Sequence, residues 1–276
     1  MTQYPQTSEI RKRVSNRLLS TFHMGMDAFL DLLPLPKRPH ILIACMPKSG
    51  STYLTNVISH YEGLSRAQLV PFYGTRENEL CQVRLSKYNH RGYAAQLHLR
   101  NSGWTQHMIM KYRLTPIVLT RNLFDIVISL RDHFRNESTE TSMAYLTPHH
   151  LQMSDTELEE TITRLVMPWY MNFYAGWRTD ANALFVSYED LITNPEETVA
   201  AVLRRSRISP ISEKVKEALE KSKQGNNRLN KGVIGRGKKL SPKASEDLLR
   251  LLDFYPEFEE DAYFKNIRAS AKNLQG

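Results

Sequence analysis

The sequence predicts an α/β protein, a three-layer sandwich with a central parallel sheet between two layers of helices. Three observations predict it. Short apolar runs, partly β-branched, recur at His40–Cys45, Pro116–Thr120 and Ala183–Leu191. Each is followed by a helix-period pattern, the alternation that builds a parallel sheet covered on both faces. The chain has 276 residues, 41% apolar and 24% charged, enough for one α/β unit with a sizeable core.

The elements follow in order. Ile10, Val14, Leu18, Phe22, Met26, Phe29 and Leu33 fall at spacings of three and four, with Arg11, Lys12, Arg13 and Arg17 mostly elsewhere. Residues 1–36 therefore read as an amphipathic helical extension. It packs on its own domain or on a partner chain, or it makes peripheral membrane contact through residues 8–33. It lacks the clean apolar core and small-residue cleavage site of a signal peptide. After Pro34, Pro36 and Pro39 the run HILIAC reads as a buried strand, Pro47 to Ser51 as a turn, and the next segment as a helix. That helix buries Leu54, Val57, Ile58 and Tyr61 and stops at Gly63.

Tyr93–Arg100 reads as a strand leading to the mouth of the sheet. Pro116–Thr120 is a third strand, followed by a helix with Phe124, Val127, Ile128 and Phe134 inward, with Asn122 as cap and Asp125 completing a shortened capping box. Residues 136–155 read as a mobile loop or lid, and Thr156–Trp177 as one helix. Ala183–Leu191 is a further buried strand with a polar exit, Pro195–Arg205 a helix opened by proline and acids. A Gly-, Asn- and Lys-rich loop and an amphipathic helix ended by Pro256 complete the chain.

Charge and cysteine use bound the partners. Lys and Arg outnumber Asp and Glu by 37 to 29, a balance of +8 that favours anionic partners. Cys45 and Cys81 cannot form a disulfide framework, so a reducing, cytoplasmic setting is expected. No cysteine–histidine cluster has metal-ligand spacing, and no metal is expected. A nucleic-acid partner is not expected, because there is no recognised motif and no compact basic-aromatic stripe.

The chemistry centres on ILIACMPKSGSTYL. A strand-to-helix turn aims backbone N–H groups outward at the positive end of the helix dipole. Lys48, a glycine at Gly50 and hydroxyls on Ser49, Ser51 and Thr52 make it a cradle for a phosphate- or sulfate-like group. The common phosphate loop needs Lys after its second Gly, whereas Lys48 precedes Gly50.

PKSGSTYL resembles the phosphosulfate-binding loop of the sulfotransferases that use 3′-phosphoadenosine 5′-phosphosulfate (PAPS). VLTRNLFDIVISLRDHF resembles that family's second nucleotide motif, FVSYEDL its Tyr-Glu-Asp-Leu strand end, and NKGVIGRGKKLS a diverged form of its late Gly-rich loop. The four segments stand in the family's order over residues 40–245. The resemblance implies a sulfotransferase domain over 37–276, with a P-loop-like fold built on a phosphosulfate-binding strand-loop-helix. It further implies transfer of a sulfuryl group from PAPS to a hydroxyl, or as second choice an amine, leaving adenosine 3′,5′-bisphosphate and needing no metal.

The resemblance also implies roles. Lys48 stabilises charge on the leaving phosphate, and Ser49, Gly50, Ser51 and Thr52 hold the 5′-phosphate. Tyr53, where the cytosolic branch has Trp, stacks on adenine. Arg121 and Ser129 grip the 3′-phosphate, Tyr188 sits near the base, and Lys231 and Gly232 add contacts to the 3′-phosphate. QLHLR resembles the segment that places His98 as general base, with Gln96 where that branch has Lys and Arg100 where it has Pro. Glu77 or Glu79 is the carboxylate alternative, the kind carbohydrate-directed branches use. Residues 63–95 and 136–180, with Phe72, Tyr73, Trp104, Trp169, Tyr170, Phe173 and Tyr174, are expected to shape a pocket for a small-molecule, lipid or carbohydrate acceptor. Two other readings stay open: a nucleotide-dependent, kinase-like phosphotransferase with Glu189–Asp190 on magnesium, and a nucleotide-binding protein without catalysis.

Overall fold

The computed structural model describes residues 21, 22, 25, 38–71, 77–138, 146–224 and 233–272. Lys231, Gly232, Phe72 and Tyr73 lie outside them. So does the expected N-terminal helix, apart from Thr21, Phe22 and Gly25, which are helical.

Five parallel strands form one sheet in the order β2-β3-β1-β4-β5: β1 (His40–Cys45), β2 (Ser65–Arg66), β3 (Tyr93–Leu97), β4 (Thr115–Thr120) and β5 (Leu184–Ser187). β1 is central and buried at every residue, which is why it reads as an unbroken apolar run and not as an alternating one. Its side chains still alternate between layers. Leu42, Ala44 and Met46 enter the core shared with Trp177, Phe124 and Phe264. Ile41, Ile43 and Cys45 enter a second core with Leu54, Val199 and Leu219.

The helices are α1 (Ser51–Glu62), α2 (Gln82–Tyr88), α3 (Gly103–Tyr112), α4 (Leu123–Asn136), α5 (Asp155–Leu165), α6 (Met167–Arg178), α7 (Tyr188–Thr193), α8 (Pro195–Arg205), α9 (Ser212–Gln224), α10 (Pro242–Leu252) and α11 (Ala262–Lys272). The expected stop at Gly63 is a left-handed C-cap at φ 62°, its N–H donating to Ser59 O.

Four expectations are corrected. The single helix over 156–177 is two, broken at Val166, because Pro168 lacks an N–H and its ring clashes with the preceding turn. Within the expected loop 136–155, Asn136 still belongs to α4, and a 3₁₀ turn spans Pro148–Gln152. Arg135 ties that segment down, reaching the carbonyls of Leu151 and Met153. β5 is an edge strand in which only Val186 is buried. The chain does not finish at Pro256: α11 adds Phe264 and Ile267 to the main core.

Candidate active site

The turn after β1 is built from unusual backbone. Lys48 has φ 65° and Gly50 φ 80°, both left-handed. Such a conformation is costly for Lys and natural for Gly, and at Gly50 it is enforced by packing. A Cβ there would stand 2.9 Å from Tyr188 Cδ2. Ser49 is turned inward, its hydroxyl and its N–H both donating to Met46 O at 2.5 and 3.3 Å. These contacts close the turn. α1 begins with no side-chain cap and no acid in its first turn, so its leading N–H groups face outward uncancelled. Gln96 of β3 braces this end, donating to Thr52 Oγ1 at 3.2 Å while its carbonyl accepts from Thr55 Oγ1 at 3.1 Å.

Tyr53 is 5% exposed and belongs to the second core with Leu219 and Val215. Burial raises its phenol pKa, against the pull of Lys223.

Arg121 follows β4 and is 5% exposed. Its Nη1 donates to Lys48 O at 2.7 Å and its Nη2 to Val233 O at 3.3 Å, while the guanidinium lies 4.1 Å from the Tyr188 ring centroid. Asp125 Oδ2 is 3.8 Å from Nη2. Nε is buried with no hydrogen-bond partner among the described residues. Burial pulls the guanidinium pKa down, with Tyr188 and Asp125 opposing. Ser129 sits further along α4, 3% exposed, and Tyr188, also 3% exposed, opens α7 with its pKa raised by burial.

Asn122 caps α4, accepting from Phe124 N at 3.0 Å, but Asp125 does not fold back to complete a box. Glu189 takes that role, accepting from Asn122 N at 3.0 Å. Burial pushes its carboxyl pKa up, and the Asn122 N–H holds it down. Asp125 reaches instead to the late loop, accepting from Gly235 N at 2.9 Å and Gly237 N at 2.7 Å. A Cβ at Gly237 would meet Phe124 Cβ at 2.4 Å, so glycine is required for this approach. Arg236 adds an ion pair to Asp132.

His98 follows β3 and is braced at both backbone groups by Asn78. Its N–H donates to Asn78 Oδ1 at 3.1 Å, and its carbonyl accepts from Asn78 N at 3.0 Å. Nδ1 lies 3.0 Å from Cys45 O and 3.4 Å from Cys45 Sγ. Burial, the largest influence, acts to lower the His98 pKa; Cys45 raises it by charge, thiol and carbonyl, and the net direction is upward.

Glu77 is engaged, accepting from Trp169 Nε1 at 3.0 Å and pairing with Arg100. Glu79 is exposed. Trp104 is 42% exposed, whereas Trp169, Tyr170, Phe173 and Tyr174 are buried, and Tyr170 donates to Pro47 O at 3.4 Å. Packing, more than pocket lining, is what these α6 rings do.

The structure thus brings three strand ends to one rim: the turn after β1, His98 after β3 and Arg121 after β4. This is the carboxyl edge, where open α/β sheets bind ligands. Cys45, Asn78, Asp125 and Glu189 support it without having been singled out for these contacts. A cavity of about 850 Å³ at the ends of β4 and β5 adjoins this rim, lined by Asn122, Asp125, Glu189, Gly235 and Tyr263, and not by Lys48, His98 or Arg121. Among the described residues no cluster of three potential metal-ligating side chains occurs, and no helix is long and apolar enough to cross a membrane.

A family model for the sulfotransferase domain matches residues 38–234. The fold resembles that of mouse sulfotransferase SULT7A1 complexed with PAP, at 17% identity and TM-score 0.62, covering 88% of this chain and 92% of that one. It also resembles retinol dehydratase in a complex with retinol and PAP, at 15% identity and TM-score 0.51, covering 86% and 83%. At these identities the likeness is one of fold. No curated protein matches the chain in sequence.

Proposed function

The chain belongs to the sulfotransferase family, and from that premise we propose that it moves a sulfuryl group from PAPS to an acceptor hydroxyl, an amine being the second choice. The acceptor class is a small molecule, a lipid or a carbohydrate.

The observation that carries this reading is the buried Arg121 guanidinium, whose Nε has no hydrogen-bond partner among the described residues, beside the left-handed turn and the uncapped start of α1. Arginine buried in this way is suited to a phosphate, whose oxygens satisfy the planar fork. At Gly50 any side chain would run into the Tyr188 ring, so the close turn requires glycine. These residues fit the donor's two phosphate ends: Lys48, the N–H groups of Gly50 to Thr52 and the Ser51 and Thr52 hydroxyls for the 5′ end, Arg121 and Ser129 for the 3′ end. Tyr188, over Gly50 and Arg121, borders the base. Lys231 and Gly232 would add 3′ contacts.

The donor supplies an activated sulfuryl group and departs as adenosine 3′,5′-bisphosphate. As the acceptor oxygen forms its bond to sulfur, the bond from sulfur to the bridging phosphate oxygen breaks, and His98 takes the hydroxyl proton. Lys48 offsets the charge that grows on the phosphate. Catalysis is mostly positioning and charge stabilisation. Glu77 is the poorer base, since both its oxygens are already accepting hydrogen bonds.

Calorimetric titration with adenosine 3′,5′-bisphosphate, adenosine 5′-phosphate and ATP without magnesium tests the reading. The bisphosphate is expected to bind best, and Arg121→Ala to weaken it about tenfold or more, the scale of a hydrogen bond to a charged group. Arg121→Lys, followed with thermal melts, separates lost binding from lost folding. Equal or tighter binding of ATP would overturn the proposal.

A further inference from the structure

We propose that Cys45 is a positioning residue for His98, holding the imidazole so that Nδ1 is the donor and Nε2 is left to accept a proton. The inference rests on the reading of His98 as the general base.

The geometry leaves little freedom. β3 ends at Leu97, and the His98 ring takes up the Cys45 carbonyl at the end of β1. A carbonyl oxygen has no proton, so Nδ1 must donate to it at 3.0 Å. In a neutral ring the other nitrogen is then the acceptor. The Cys45 thiol adds a second hold. Its S–H donates to Leu97 O at 3.4 Å, which turns sulfur lone pairs toward Nδ1, also 3.4 Å away. One residue therefore accepts the same N–H with two atoms, from a position with 0% exposure where neither atom can drift.

Asn78 fixes the His98 backbone at both N and O, so ring rotation is the remaining freedom, and that is what Cys45 removes. A base whose tautomer is set by a second partner is the logic of a triad, with a carbonyl and a thiol in the orienting place. Burial acts to lower the His98 pKa, and the hydrogen bonds to the Cys45 thiol and carbonyl act to raise it.

The test follows His98 by its imidazole ¹⁵N resonances alongside kinetics in wild type, Cys45→Ala, Cys45→Ser and His98→Ala. Wild type is expected to show Nδ1 protonated and Nε2 free at neutral pH, with a midpoint above the ordinary histidine value. In Cys45→Ala the midpoint falls and kcat drops about three- to tenfold, with KM and bisphosphate affinity unchanged. Cys45→Ser restores most of both and serves if the alanine variant folds poorly. Cys45→Ala is expected to add no loss in a His98→Ala background.

An Nε2-protonated ring in wild type would overturn the proposal. So would an equal loss of rate with and without His98, and resonances unchanged in Cys45→Ala would leave the hold to the backbone carbonyl and overturn the role of the thiol. If no acceptor is sulfated by any form, the family-based activity fails while the resonances still decide the role of Cys45.

Discussion

The two halves of the rim are made in different ways. On the β1–β4 side, the proposed anion site is local backbone: two left-handed residues, an uncapped helix start, and an arginine just past a strand end. On the β3 side, His98, the proposed base, is held by residues far away in sequence. Asn78 and Cys45 hold His98 from 20 and 53 residues off, and Trp169 reaches Glu77 across 92. One half is a conformation and the other a set of contacts. Damage to the first should appear as lost nucleotide affinity, and damage to the second as lost turnover at constant affinity.

The largest effect should break the comparison most plainly. His98→Ala is expected to lower kcat by about 10²–10⁴, the usual worth of a general base, with bisphosphate affinity intact. Glu77→Gln should cost less than about threefold. Initial rates beside calorimetry check both, and a reversed order would move the proton to the carboxylate.

A smaller effect belongs to the other half. Gly50→Ala forces a Cβ toward the Tyr188 ring at φ 80° and should weaken the bisphosphate by about 1–3 kcal/mol while leaving the His98 resonances in place. Titration calorimetry reads the first and NMR the second. The smallest change tests whether the late loop belongs to the binding half. Asp125→Ala frees the N–H groups of Gly235 and Gly237 and should cost roughly 1–3 kcal/mol of stability, seen as a lower Tm, with weaker nucleotide binding and kcat at saturation nearly unchanged.

The same contrast explains what the sequence made legible. Ile41–Cys45, the Pro-Lys-Ser-Gly turn, the Gly63 stop and the Asn122 cap are local signals, and each stands where periodicity and capping chemistry put it. The break at Val166 was legible too, in Pro168, but an aromatic helical pattern on both sides masked it. Asp125 misled because its spacing from Asn122 suits a shortened capping box, while Glu189, 67 residues from Asn122, fills that place. Nothing near Asn78 or Cys45 in sequence marks them as partners of His98. The α6 rings show the limit of composition: an aromatic near a site is counted toward a pocket until its burial is known.

Parts of the rim come from opposite ends of the chain. Tyr263 of α11 donates to Arg121 O at 2.7 Å, Asn122 Nδ2 donates to Ser270 Oγ at 2.9 Å, and Gly235 and Gly237 close on Asp125. A chain emerging from the ribosome as far as α9 already carries the turn, the histidine and the arginine, yet lacks the clasp around Arg121. On the proposed reading, the full nucleotide site is complete only once α11 has been made.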